Sequence, residues 1–474
     1  MSDAGPLSPD VDAAGPADWS PGGRADAGTA RRRSRWNPGR PPAAHGGWDA
    51  SWFFLAALVA YAFTSPGATG YDQYARFAQV MLHGSLSLPS RPPHLEMAEF
   101  AGRAYFSNPP TPALLLLPFV WLAEREPLKH WLLAYNGGWE LPLGLMQAAL
   151  SILLGAINVA LARIGLGRVP LSRRAANWGA VLFGFGSIHW YHATIGSVWY
   201  IAQIAHATFM WLLVVEWLGK ARPVLLGVAL AAAFWCRMET MLAVPFVLMA
   251  RPDRWLLPRA DELLPRLRLG WLVRFGVPLV GVLTLNALYN WARFGTFSNY
   301  AYTMLIEKPE VRGMFPYGLL SWHYWWGHVQ TMFNSWPIVE PGFPWVRPRI
   351  SGLALSFTIA TGFPWVMPKV SGLAIWITTP AFVYALRAPL DHLTGACWVG
   401  IALFMSLLLQ HCGTGMTQLG YRFAMDFYPL LVLLTMRGMD PPLRWWKTGL
   451  IAVSVFINAW CVWVLNILQI QRLF

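Results

Sequence analysis

Asp72 lies in the stretch GYDQYARFAQVMLHG, residues 70–84, directly after the first strongly apolar segment, Trp48–Pro66. A carboxylate there could accept a proton from a hydroxyl as a general base. It could equally hold backbone donors, because Thr69-Gly70-Tyr71-Asp72 also fits a capping box. Further polar groups stand in apolar surroundings, where each marks a candidate site. His206 has Gln203 one turn before it, suiting either helix packing or a polar lumen. Arg237 and Glu239 fit a structural ion pair as well as an anion site. Gly420-Tyr421-Arg422-Phe423-Ala424-Met425-Asp426 puts a cation near a helix start, against the dipole preference. Arg422 therefore serves either a ligand anion or Asp426, one turn on. His189-x-x-His192 has a spacing that suits metal, but no carboxylate lies nearby in sequence, and an interfacial histidine pair is expected. No Walker motif, G-x-S-x-G or H-E-x-x-H is present. No cofactor is expected, and a divalent metal is not indicated.

The elements that must carry these groups follow from periodicity and composition. Tyr74, Phe77, Ala78, Met81 and Leu82 form one stripe of a helix, with Gln73, Arg76 and His83 off it. Such a helix lies along a membrane surface, and Gly84 is a natural stop. The chain is 55% hydrophobic and only 12% charged, and its uncharged runs approach the roughly 20 residues that span a bilayer. An all-α polytopic membrane protein is expected. The net charge of +13 then reads as topology, since Arg clusters recur between apolar runs, and no nucleic-acid partner is implied. The four cysteines, Cys236, Cys397, Cys412 and Cys461, are scattered and form no C-x-x-C pair, so neither a disulfide framework nor a zinc site is indicated.

Residues 1–47, rich in Pro, Gly, Ala and Asp and then in Arg, are expected to be a disordered cytoplasmic tail. Thr111–Ala123 is apolar but too short to span. If it dips without crossing, Arg163–Arg174 and Arg251–Arg268 both face the cytoplasm, as the positive-inside rule prefers. Residues 67–140 then make one long outer loop with interfacial helices. Spans are expected at about 48–66, 141–162, 175–193, 200–218, 222–236, 239–250, 270–291, 372–389, 394–411, 421–437 and 447–467, eleven in all. The pair 222–236 and 239–250 is short, and reads as two spans, one broken helix or a re-entrant hairpin. Residues 292–371 form a second outer segment whose aromatics, Trp322, Tyr324, Trp325, Trp326 and Trp336, suit an interfacial belt or a sugar-stacking platform. Within it lies a tandem duplication over 342–380: Gly342-Phe343-Pro344-Trp345-Val346 returns at Gly362–Val366, and Ser351–Ala354 at Ser371–Ala374. It is expected to lengthen the loop and to feed the span near Gly372.

The first-loop acid in Tyr71-Asp72-Gln73-Tyr74, then Gly102-Arg103-Ala104-Tyr105 leading to Asn108-Pro109-Pro110, and Gly420-Tyr421-Arg422-Phe423 leading to Pro429, together resemble the GT-C superfamily of integral membrane glycosyltransferases. That group includes protein mannosyltransferases and lipid A aminoarabinose transferases. The resemblance covers most of 48–474 in layout and these short motifs in residues. It implies a GT-C-like helical bundle and a polyprenyl-phosphate-linked sugar donor, with a lipid, glycan or protein acceptor. The active site would lie at the outer face of the plasma (inner) membrane, a multi-pass setting with membrane lipids as partners. Asp72 matches the family's catalytic acid, and Arg103, Tyr105, His206, Arg237, Glu239, Tyr421 and Arg422 are the substrate-binding candidates. Gln73 replaces a second acid found in many members, and residues 194–199 contain no Asp or Glu, which weakens a metal site of the oligosaccharyltransferase type. The rival reading from another class is a membrane transporter or lipid flippase, which would also want intramembrane Arg and Glu.

Overall fold

Away from water, backbone N–H and C=O groups must be satisfied within their own segment, and the long uncharged runs accordingly fold as helices. The computed structural model describes residues 47–89, 97–137, 140–257, 266–298, 300–307, 313, 315–341, 344–351, 354–361, 364–367, 372–415 and 418–467. The expected basic tail lies outside these residues, apart from Gly47.

Helix α1 (Gly47–Thr64) packs along α5 (Leu143–Leu166), and α5 in turn packs on α8 (Val198–Leu218). Between α1 and α5 the chain forms α2 (Gln73–Leu82), a hairpin of β1 (Met97–Phe100) and β2 (Arg103–Phe106), α3 (Thr111–Ala123) and α4 (Leu128–Tyr135). The expected stripe of α2 faces inward: Tyr74, Phe77 and Ala78 are fully buried and Met81 and Leu82 half-buried. Gly84, at φ +74°, ends that helix in a conformation glycine adopts without strain. Next come α6 (Arg173–Gly184), α7 (His189–Ile195), α9 (Pro223–Phe234), α10 (Val244–Ala250, entered through a 3₁₀ turn at Met238–Ala243), α11 (Pro252–Trp255) and α12 (Leu269–Phe294). The last third carries helices Ile375–Thr378, His392–Leu408, Tyr428–Met439 and Trp445–Val462.

Among the described residues, four helices are long and apolar enough to cross a membrane: α5, α8, α12 and Trp445–Ile467. The other expected spans are shorter or broken. Residues 175–193 divide into α6 and α7, while 372–389 and 421–437 open or continue as 3₁₀ turns at Pro380–Arg387 and Arg422–Phe427. The chain is mostly helical, as expected, and carries a few short strands besides. Besides the β1–β2 hairpin, with Met97 opposite Phe106, β3 (Leu256–Leu257) pairs with β4 (Arg266–Leu267). Antiparallel strands flank and form part of the tandem duplication: β5 (Ile338–Pro341) pairs with β8 (Pro364–Met367), and β6 (Pro344–Ser351) with β7 (Ala354–Thr361). Among the described residues the first copy supplies β6 and β7, and the second supplies β8 and then the helix Ile375–Thr378.

The segment 222–251 is a hairpin, which removes the broken-helix alternative. At its start Arg222 pairs with Glu216 at the end of α8, and at its close the Arg251 side chain donates to the Trp217 carbonyl at 3.3 Å. Its apex is Trp235–Arg237. At about 1.5 Å per residue the twelve residues of α9 rise only about 18 Å, less than the roughly 30 Å of a hydrocarbon core. From the other side, α3 meets this apex through the Thr111 N–H, which donates to the Trp235 carbonyl at 3.2 Å.

The bundle has two chemically distinct ends. At one, Asp49 of α1 accepts from Arg163 of α5 at 2.7 Å and from Arg173 of α6 at 2.6 Å. Asp440 accepts from the Ser172 N–H at 2.8 Å, Arg437 pairs with Asp391, and Arg168 donates to the Val215 carbonyl. At the other end the first loop leaves α1 and returns to α5, where Thr69 N–H reaches the Gly144 carbonyl. The candidate residues lie toward this second end.

Candidate active site

Asp72 precedes α2, and its side chain makes no capping bond. Its backbone carbonyl accepts from the Ala75 and Arg76 N–H groups instead, at 2.9 and 3.1 Å, while the Thr69 hydroxyl accepts from Tyr71 N–H. The capping-box alternative is not what the chain builds. The carboxylate, only 6% exposed at residue level, accepts from Arg76 Nε at 2.7 Å, and Arg76 continues to Glu140 at 3.3 Å. Burial works against the Arg76 charge, but the Asp72 carboxylate first and then Glu140 offset it and raise the guanidinium pKa above its ordinary value.

One buried side chain fixes the turn that carries Asp72. Gln147 of α5 donates to the carbonyls of Tyr71 and Gly196 at 2.9 and 2.8 Å, and its oxygen accepts from the Ala75 N–H at 3.1 Å. Gly196, at φ +62° and hard against Ala148, makes the tight corner between α7 and α8 that this clamp requires. Val198 N–H donates to the Tyr71 carbonyl, and the Trp199 ring packs 4.8 Å from that of Tyr71. The Arg422 guanidinium lies 5.8 Å from the same Trp199 ring and 5.1 Å from Phe423. Trp199 thus touches both the Asp72 turn and Arg422. Arg422 is further held through its backbone: its N–H donates to Gln418 and its carbonyl accepts from Gln203 of α8 at 2.8 Å.

Deeper in the bundle, the hairpin apex meets the 3₁₀ turn Arg422–Phe427. Arg237 Nη2 lies 2.5 Å from Glu239 and 2.9 Å from Asp426. Asp426 therefore takes Arg237 as its partner rather than Arg422. Its second oxygen faces His206 Nδ1 at 3.6 Å, with both residues fully buried. Neither ring nitrogen of His206 nor this Asp426 oxygen has a hydrogen-bond partner among the described residues. Two carboxylates against one guanidinium leave the cluster acidic unless a proton or cation joins it. Tyr421 is held by His328: the ring's Nε2 must donate to the His411 carbonyl at 2.8 Å, so Nδ1 accepts from the Tyr421 hydroxyl at 2.7 Å.

The structure therefore brings together His206, Arg237 and Glu239, with Tyr421 and Arg422 on the adjoining turn, and links Arg422 to the Asp72 turn through Trp199. Arg103 and Tyr105 are placed apart. Arg103 is exposed at the start of β2, and Tyr105 packs edge-on to Phe294 at 5.1 Å in a small separate core with Ala98 and Ala301. The His189/His192 pair is buried, not interfacial. His189 joins Tyr61 at 3.1 Å and Asn158 at 3.4 Å, while His192 stacks on Tyr200 at 4.6 Å. No group of three or more His, Cys, Asp or Glu among the described residues is arranged to hold a metal.

Sequence reasoning missed the clamp by Gln147, the Arg237–Asp426 pair and buried Arg293. The last donates to the Phe106 carbonyl and Asn290 at 2.8 Å each, with the Tyr289 ring 3.7 Å away. Its one sequence signal was a lone Arg in the last turn of an apolar helix, which the helix dipole alone explains.

No known family model matches the chain, and no curated protein does. Among solved structures it is similar to the crystal structure of the Archaeoglobus fulgidus oligosaccharyltransferase in the apo form. Identity is 11% and the TM-score 0.45, over 89% of this chain and 56% of that one. The chain spans just over half the length of that protein.

Proposed function

We propose that the chain is a GT-C-type membrane glycosyltransferase that moves a sugar from a polyprenyl-phosphate-linked donor to an acceptor hydroxyl at the outer face of the membrane. The observation that carries this reading is Asp72: a buried carboxylate, not spent on capping, in a loop that leaves and rejoins the bundle opposite its arginine-rich end. In the reaction Asp72 accepts the acceptor hydroxyl's proton as that oxygen bonds to the anomeric carbon, and the bond to the lipid phosphate breaks with inversion. The leaving phosphate gains charge and needs a positioned cation. Arg422 suits this role better than Arg237, which two carboxylates already neutralise. Arg103 is exposed and able to reach a ligand from the hairpin.

Asp72→Asn tests the reading, because an amide cannot accept the proton. We expect a well-folded variant whose transfer rate falls about a hundred- to ten-thousand-fold. Arg76→Gln removes the partner and leaves the base, so it should keep a larger share of turnover. Near-normal transfer by Asp72→Asn would reduce Asp72 to the structural partner of Arg76.

A further inference from the structure

Against the first-loop helices lies a cavity of about 410 Å³ lined by Gln79, His83, Trp121, Glu124, Arg125, Lys129 and Leu141. Its size falls in the range of small-ligand sites, roughly 300–1,000 Å³. The charges on its wall are unbalanced. Glu124, the one acid among the described lining residues, is engaged by Gln79 at 2.9 Å and faces His83 at 3.3 Å through the same oxygen. Arg125 lies over the Trp121 ring at 4.6 Å, and neither it nor Lys129 has a carboxylate partner among the described residues. Two cations, an indole and an amide thus converge on a space large enough for a phosphate-bearing group.

The surroundings indicate where such a group comes from. Trp121 and Leu122 at the end of α3, and Trp131 and Tyr135 on α4, are 47%, 52%, 61% and 67% exposed. The Trp131 and Tyr135 rings stack on each other at 5.9 Å. Exposed aromatic and aliphatic side chains beside cations are the composition of a surface that sits at lipid headgroup depth. A free soluble anion would need the cations but not this apolar flank.

We propose that this cavity binds the headgroup of an anionic phospholipid, with Arg125 and Lys129 facing the phosphate and the α3–α4 aromatics seated in the interface. The consequence is that the loop carrying Asp72 is anchored on the bilayer through α3 and α4, independently of any sugar donor. The site rests on the membrane setting of the chain alone, and its test contains no sugar.

The full chain is placed in phosphatidylcholine nanodiscs doped with photoactivatable phosphatidylglycerol, illuminated and digested. The expected result is label on the peptide spanning residues 111–135, competed by unlabelled phosphatidylglycerol but not by phosphatidylcholine or inorganic phosphate. Arg125→Gln/Lys129→Gln, checked for a wild-type melting temperature, should lose label at least about tenfold, the worth of two surface cations. If that variant melts early, the wild-type competition decides alone. Equal labelling by a phosphatidylcholine probe, displacement by inorganic phosphate, or full labelling of the folded double variant would each overturn the site.

Discussion

Arg422 and Arg237 are both embedded cations, and their surroundings assign them different work. Arg237 is bracketed by Glu239 and Asp426, whereas Arg422 shares the Trp199 ring with the turn that carries Asp72. Arg422→Lys keeps the charge but loses the forked geometry that suits a phosphate, so transfer should fall in a protein of normal stability. Asp426→Asn should act the other way, lowering the melting temperature because it weakens the hold on Arg237. If Arg422→Lys transfers sugar at the wild-type rate, the phosphate role is wrong. The spacing alone allows Asp426 to hold Arg422, four residues before it. The segment instead folds as a 3₁₀ turn, where residues three apart eclipse and those four apart diverge. The actual partner, Arg237, lies 189 residues away, which no local pattern could reveal. His328 gives a pH test at the same scale. Burial depresses its pKa, opposed by its bond to the His411 carbonyl. The unfolded chain then takes up the proton first, so this contribution is full above about pH 6.5 and is lost as pH falls below it. Melting curves of wild type and His328→Gln should converge on acidification; a constant difference from pH 8 to 5 would contradict this.

Among the elements, the short ones decide the layout. Thr111–Ala123 was readable as a dip because thirteen apolar residues cannot span a bilayer, and α3 has those bounds. The structure adds that α1 and α5 meet at Asp49–Arg163 at one end and near Thr69–Gly144 at the other, so the intervening loop starts and finishes at the same end. An impermeant thiol reagent on intact cells should therefore label His130→Cys and not Pro170→Cys, in a background without the native cysteines. Labelling at 170 with none at 130 would reverse the topology. The strands were not legible. β1 and β2 are four residues each, too short for an alternating pattern to stand out from the apolar background. The duplicated segment reads as loop because two copies suggest no repeat architecture, whereas β6 pairs with the adjacent β7 and β5 closes on β8 around them. For the hairpin 222–251 the sequence admits three forms, since length alone cannot place both of its ends on one side.

At the scale of the whole molecule, composition made the membrane class legible and the recurring arginines gave a polarity to the bundle. What composition could not give is how that polarity is built: Asp49, Asp391 and Asp440 gather Arg163, Arg173, Arg437 and Ser172 at one end. The opposite end is left to Asp72, Arg422 and the acidic cluster below them. An embedded acid-rich cluster would also suit a protein that moves lipids, so the reaction itself decides between the two. The most direct measurement supplies the purified chain in nanodiscs with a polyprenyl-phosphate sugar and candidate acceptors, and follows the lipid by mass spectrometry. The sugar-bearing lipid should be consumed, free polyprenyl phosphate should appear in equal amount, and Asp72→Asn should slow both by about a hundred- to ten-thousand-fold. A donor lipid that crosses the bilayer with its sugar intact, in wild type and Asp72→Asn alike, would contradict the proposed reaction.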